Sequence, residues 1–461
     1  NHFMGSVYFG TSSINNDIGS YFNTADNILI PFPVNEAPIV TSALATDETT
    51  FATTAAYKQE LSKKWAIQPG LNWMRSDYDH NFEWNDNDSI IQSNSPNGNV
   101  NFHNIEYFCH FIYKIDSFTT LRIVPEINQI IEDRLFVTDK ENPYSYNQIY
   151  FIPYAFIQSR KNHKYNFYAH IRANVQRPQT NQILPVVDNR NPYRTVKGNI
   201  ELENAMRYSG YASGRKMLGL GKYISFNSWS NYTINPVTSK VTVDEFNYST
   251  QELVNYKNSI SSSQSVGFGW PLKAIKSSME LEVDYNFNRS YFIQNNEDVE
   301  SVNNGLSTNL GLQWNEFDKW SMDLGYGVGF NQGKIDGVKN NDFISQDIYA
   351  ELVINPIERL EWSTELDVEM YGKNAVTGAQ TIPILSSEIS VYLDSNQRWS
   401  IGAKAFDIFD KNQNIWRSWN SNRYIQSQNL AIQRYMMATI RYKIKKPSPK
   451  KKGGKGPIDK R

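Results

Sequence analysis

The chain has one cysteine, no apolar run of the length a membrane helix needs, and almost no net charge, and each lack removes a class of protein. A single thiol, Cys109, cannot close an internal disulfide, so no disulfide framework shapes the fold. It lies in the run Tyr107-Phe108-Cys109-His110-Phe111, where packing is the expected role, because a reactive thiol needs an electropositive and accessible setting. Without about 18 consecutive apolar residues, no transmembrane helix is expected. A balance of 46 basic and 47 acidic residues offers no electrostatic footprint for nucleic acid. The histidines His2, His80, His103, His110, His163 and His170 show no metal-ligand spacing. No Gly-x-Ser-x-Gly elbow marks a nucleophile. No catalytic residue, metal site or cofactor is therefore expected, and the reading is of a protein that is not an enzyme.

What is present is aromatic. Phe, Trp and Tyr make up 14% of the residues while mean hydropathy is −0.56 and charged residues reach only 20%. That mixture suits a transmembrane β-barrel wall, in which each strand sends one side chain to lipid and the next to the lumen, so low mean hydropathy coexists with a greasy outer face. Alternation supports it. Met279, Leu281, Val283, Tyr285 and Phe287 interleave with Glu280, Glu282, Asp284, Asn286 and Asn288. The pattern returns from Trp320 to Phe330, with Ser321, Asp323, Gly325, Gly327 and Gly329 on the other face, and again from Leu360 to Met370 with Glu361, Glu365, Asp367 and Glu369. Period-two repetition over ten residues is a strand signal. The alternating glycines read as small lumen-facing residues that admit close approach.

Short polar connections at 61–64, 115–117, 160–163, 215–217, 272–274, 316–318, 356–358 and 394–397 alternate with long polar stretches at 80–99, 177–200, 289–304, 331–342, 371–381 and 408–430. Short turns on one rim and long loops on the other are the habit of outer-membrane barrels. Each short turn joins two strands. With an opening strand near Met4–Phe9 and a closing strand Tyr435–Ile444, the expectation is an all-β, antiparallel, up-and-down transmembrane barrel of about 18 strands. Trp65, Trp320, Trp362 and Trp399 fall just after short turns, where an aromatic girdle would meet the membrane interface. Residues 1–445 read as barrel. Residues 446–461, rich in Lys, Pro and Gly, read as a basic, flexible, periplasmic tail. Asn1-His2-Phe3-Met4-Gly5 has neither the basic nor the apolar region of a secretion signal, so the expectation is a partial barrel.

Three segments carry a resemblance. Ala173-Asn174-Val175-Gln176-Arg177-Pro178 is followed by a loop through Asn191-Pro192 and then by Gly198-Asn199-Ile200-Glu201-Leu202-Glu203. Tyr113-Lys114-Ile115-Asp116-Ser117 is followed by Thr120-Leu121-Arg122, and Ala405-Phe406-Asp407-Ile408-Phe409-Asp410-Lys411-Asn412 by Gln433-Arg434-Tyr435. Together they resemble the Bacteroidetes outer-membrane β-barrel family, which is similar to TonB-dependent receptors. Arg177, Pro178, Asn191, Pro192, Gly198, Asn199 and Leu202 are the motif positions. Ile200 and Glu203 stand where that family usually has proline.

The resemblance implies a 22-stranded barrel whose remaining strands and N-terminal plug lie outside this sequence, with TonB as energy-coupling partner. It also implies residence in outer-membrane lipid, a periplasmic C-terminus, and a surface lipoprotein as a further partner. The implied function is uptake of a ligand bound at the extracellular loops, with the binding residues within about 80–99, 177–200, 289–304, 331–342 and 408–430. The alternative is a non-transporting barrel that acts as scaffold or surface-binding subunit of an outer-membrane assembly.

Overall fold

The computed structural model describes residues 2–19, 40–86, 89–91, 94–138, 141–161, 164–191, 194–246, 248–316, 319–373, 378–395, 397–420, 423–429 and 432–444. The expected tail from 446 onward and motif residue Pro192 lie outside them. Nearly everything described is one antiparallel sheet. Its wall is built in chain order from β1 (His2–Gly19), β2 (Val40–Glu60), β3 (Trp65–Asp86) and β4 (Asn97–Lys114). Next comes β5, which runs Thr119–Val124 and resumes after Pro125 as Glu126–Val137, and β6, which runs Glu141–Phe151 and resumes after Pro153 as Tyr154–Lys161. Then follow β7 (Tyr165–Gln176), β8 (Ala205–Gly219), β9 (Lys222–Ile234), β10 (Ser259–Leu272), β11 (Ser277–Gln294) and β12 (Glu297–Glu316). The wall finishes with β13 (Trp320–Ile335), β14 (Val338–Ile357), β15 (Leu360–Tyr371), β16 (Gln380–Tyr392), β17 (Trp399–Phe406) and β18 (Tyr435–Tyr442). The eighteen expected strands are all there, each hydrogen-bonded to its sequence neighbour.

The sheet is not closed. Among the described residues β1 pairs only with β2 and β18 only with β17, so both end strands keep a free edge.

Register fixes two faces. Leu312 pairs with Leu324, Leu324 with Ala350, and Ala350 with Leu366, so apolar side chains form continuous rows on the outer face. Asp323, Glu351 and Glu365 form the corresponding row on the inner face. The expected girdle is on the outer face beside the short turns. Trp65, Trp362 and Trp399 are all more than 40% exposed. Trp65 stacks on Tyr113 with ring centroids 4.4 Å apart, and Trp399 packs on Tyr442 at 4.6 Å.

Strand ends bracket the expected short turns, of which residues 162, 163, 317, 318 and 396 lie outside the described residues, with one correction. The turn placed at 215–217 lies instead at Leu220-Gly221, because β8 continues to Gly219 and the reversal needs Gly221 at φ 72°, a conformation open to glycine. In the 115–117 turn the Phe118 amide donates to Asp116 Oδ1 (2.7 Å) and holds that carboxyl below the usual aspartate range. The bond is therefore kept at neutral pH and lost on acidification through that lowered value.

Two long stretches are not irregular loops. At 289–304, β11 and β12 run on as paired strands to a two-residue reversal at Asn295-Asn296, with φ of 53° and 65°. At 331–342, β13 and β14 do the same around Asp336-Gly337, with φ of 48° and 76°. Asn, Asp and Gly tolerate the left-handed region that tight hairpins demand. Polar composition here marks paired strands, which sequence polarity alone cannot tell from a loop. The 408–430 stretch likewise contains a hairpin, Asn414–Asn420 with Arg423–Asn429. The 80–99 stretch shrinks, since β3 reaches Asp86 and β4 starts at Asn97.

One face assignment is directly testable. Leu324→Arg should cost about 2–4 kcal/mol if it lies near the bilayer midplane, while Asp323→Arg on the lumen face should be tolerated. Folding titrations into phospholipid vesicles, read by heat-modifiable gel migration, will separate the two. Equal behaviour would mean the faces are misassigned.

Candidate functional site

The wall forks at Pro153. Below it β6 pairs with both β5 and β7. Above it Glu141–Phe151 pairs with β5 alone among the described strands, and the Ala173 amide makes the last bridge to β6 by donating to Pro153 O (3.0 Å). From there β7 and the start of β8 turn inward. Ala173, Val175 and Met206 should point outward by parity, yet they pack against Ile152, Tyr150 and the Phe102–Ile130–Tyr146 cluster on the inner face. A cavity of about 450 Å³ remains in the fork, with Asn104, Glu106, Glu126 and Asn128 on one side and Arg172 and Arg177 on the other.

The β7–β8 connection then folds over the inner wall, and the motif residues explain how. Arg177 Nε donates to Glu132 Oε2 (3.0 Å) while its guanidinium lies 3.8 Å from the centroid of the Phe102 ring. Glu132 also accepts from Arg134 Nε (2.7 Å) and Tyr146 Oη (3.0 Å). Arg134 turns its Nη1 toward the connection and donates to Ile200 O (2.6 Å) and Leu202 O (2.7 Å). Leu202, fully buried, joins Ile183 and Leu184 against Leu44, Phe82, Trp84, Val100 and Phe136 of the wall. Gly198 passes so close to the Leu184 carbonyl that a Cβ would collide with it. Asn199 accepts from the Glu201 amide (2.9 Å) and donates to Leu253 O (2.9 Å). Asn191 sits at the end of the strand Val187–Asn191, which pairs with Arg194–Lys197. That hairpin joins Ser249–Asn255 in parallel, so the β7–β8 and β9–β10 connections form one small extension of the sheet.

Two further residues fasten the connection. The Glu203 amide donates to Asn255 Oδ1 (2.8 Å), and Asn255 Nδ2 returns a bond to Glu203 O (3.0 Å). Ile200 packs against the buried cluster. Near the other end of the chain Asp407, fully buried at φ 47°, accepts from the Lys411 and Asn412 amides (3.1 and 2.8 Å). Asp410 accepts from the Arg434 amide (3.2 Å), which sets the entry to β18.

The lumen face of β11–β15 is acidic. Besides the Asp323–Glu351–Glu365 row, Asp347 pairs directly with Glu369 and Tyr349 with Asp367. Like charges opposite each other destabilise a sheet, so this surface favours a cationic or hydrogen-bond-donating neighbour. Gly325, Gly327 and Gly329 lie on the same face, as expected. Among the described residues no group of three or more His, Cys, Asp or Glu could hold a metal ion. Sequence reasoning named Arg177 and Leu202 but missed Glu132, Arg134 and Tyr146. Their signal was faint: Glu132 and Arg134 share a face with Glu126 and Asn128, so nothing in the strand's composition singles them out.

No protein-family model and no curated protein matches this chain. Solved structures do. The copper transporter OprC aligns at 11% identity over 95% of this chain and 62% of its own, with a TM-score of 0.50. The ferric yersiniabactin uptake receptor FyuA from Yersinia pestis aligns at 11% identity over 87% and 62%, with a TM-score of 0.39. The ferric-catecholate import receptor Fiu from E. coli K12, closed form, aligns at 9% identity over 87% and 65%, with a TM-score of 0.40. The first likeness shows a shared barrel-wall fold. This chain spans about 62% of the length of that copper transporter.

The Glu132 network predicts a large local effect. Glu132→Ala leaves Arg134 buried without its carboxylate and should cost about 3–5 kcal/mol. Limited proteolysis should then cut within 177–204 faster than in the wild type. An unchanged cleavage rate would mean the connection is held by its apolar contacts alone.

Proposed function

We propose that this chain is the barrel wall of an outer-membrane, TonB-dependent transporter that takes up a ligand bound at the long-loop rim. The observation that carries the reading is the two-faced wall of eighteen strands: apolar rows and a tryptophan girdle outside, charged and amide rows inside. Neighbours in fold that are transporters and uptake receptors support it, and none of those described above is an enzyme. The two free edges need cover in hydrocarbon, where each unsatisfied backbone group costs several kcal/mol. Four further strands between β18 and β1 would complete a barrel of 22. A lumen that wide must be plugged. The acidic face of β11–β15 suits the basic surface of such a plug. In this arrangement the short turns and the C-terminal tail face the periplasm, and the long loops and the inward-folded 177–204 connection face outside.

Growth of a deletion strain on panels of iron chelates, glycans and peptides tests this. Loss of growth on one nutrient, restored by the gene and lost again when TonB is deleted, is the expected result. Growth that never depends on TonB, with ligand still bound at the cell surface, would instead make the barrel a binding scaffold. Protease added to intact cells should leave the tail beyond Lys446 uncut, and cleavage there would reverse the orientation.

A further inference from the structure

Above the acidic face the inner wall changes chemistry. Register places Trp229 of β9, Ser263 of β10, Asn286 of β11, Gly305 of β12, Asn331 of β13 and Phe343 of β14 in one unbroken cross-strand row. These six residues line a cavity of about 460 Å³. The row above adds Ser261, Asn288 and Asn303, and no lysine, arginine, aspartate or glutamate lines the cavity. The first carboxylate, Asp284, enters one row lower, opposite Ser265 and Ser307.

Each part of this row has a chemical meaning. A primary amide offers two donors and an acceptor, and a hydroxyl offers both roles, so the surface meets a ligand whose polar groups are mixed and uncharged. An anionic chelate would find no cation in the lining, and a cationic ligand no carboxylate. Trp229 is 43% exposed on the lumen face, where no membrane interface accounts for an indole. Trp229 and Phe343 bound the part of the row that lines the cavity, the row itself continuing past Trp229 to Tyr211, and they present flat apolar surfaces. Gly305 keeps the floor open: a Cβ there would come within 3.1 Å of Asn331 Oδ1 and push the amide aside. Six strands span roughly 24 Å at sheet spacing, which fits several linked rings in line. A peptide backbone gains least here, because the row is the face of a sheet and not an edge to which a strand can add.

We propose that this row binds a neutral oligosaccharide, with pyranose faces on Trp229 and Phe343 and hydroxyls on the amides of Asn286 and Asn331. The proposal deepens the transport reading and rests on it for the claim that this face is the ligand's route. Its test is binding, which needs no energy coupling. The whole barrel, purified from outer membranes with the strands and plug that accompany this wall, in an amine-oxide detergent that carries no sugar headgroup, is titrated with maltohexaose, cellohexaose and xylohexaose, and with a blocked hexa-alanine peptide and a ferric catecholate. Tryptophan fluorescence and calorimetry give the readout. At least one hexasaccharide should bind saturably, and Trp229→Ala, Phe343→Ala and Asn331→Ala should each weaken it by up to about tenfold. Heat-modifiable migration checks that the variants fold. Saturable binding of none of the three sugars, binding indifferent to all three substitutions, or equal Trp229-dependent binding of the peptide or the catecholate would overturn the site. Sugar binding without TonB-dependent uptake would count against the transport reading alone. Uptake of a catecholate without sugar binding would keep transport and discard the site.

Discussion

Hydrocarbon offers a backbone nothing to hydrogen-bond with, and that constraint governs this structure. It demands that neighbouring strands pair along their whole length, and pairing at period two then sorts side chains into two faces without further instruction. Hence Leu324 and Asp323, adjacent in sequence, belong to different solvents. The same constraint explains where the wall is allowed to break. β6 loses its second partner only above Pro153, and Pro153 itself has no amide to leave stranded. The carbonyl of Pro153 is taken by Ala173, so the fork opens with its last backbone groups satisfied.

Turning β7 and β8 inward carries an electrostatic cost, and the Glu132 network is how the chain meets it. Arg134 and Glu132 are removed from solvent almost completely. A buried pair of this kind contributes little net stability against an apolar replacement, but it is intolerant of losing one member. Such a device gives specificity. Arg134 reads two consecutive exposed carbonyls, Ile200 and Leu202, and accepts the connection in one register only. The Glu203 amide locks the β9–β10 connection to the same base. The two connections therefore sit on the wall as one unit.

Strand number, faces and most short turns were legible in the sequence, because alternation and turn residues are local signals. The tall hairpins at Asn295-Asn296 and Asp336-Gly337 were not. A polar strand lacks the apolar half of its alternation and reads as loop, although the tight left-handed turn residues were visible. The displaced turn at Leu220-Gly221 has the same origin, since Arg215 and Lys216 are polar but still paired with Ser225 and Ile224. The motif around Arg177 could be named but not explained, because its partners Glu132, Arg134 and Tyr146 are brought to it by register between strands far apart in sequence. Cross-strand rows are the hidden variable throughout. Trp229, Asn286 and Phe343 share a line only after five pairings are fixed.

Those rows also give the lumen a vertical order. Near the short turns the inner face of β11–β15 concentrates carboxylates, whose repulsion is relieved by an opposing donor surface. Farther up, β11–β13 continue on this face as Asn, Ser and Gly and β14 as Ser345 and Phe343, and they reach that height because β11–β12 and β13–β14 extend as ladders instead of dissolving into loops. A neutral layer above an acidic one separates two tasks on one wall. The lower layer favours a fixed cationic neighbour, and the upper layer can make and release many weak, uncharged hydrogen bonds. A group held by buried charge is slow to leave, whereas amide and hydroxyl contacts exchange readily with water.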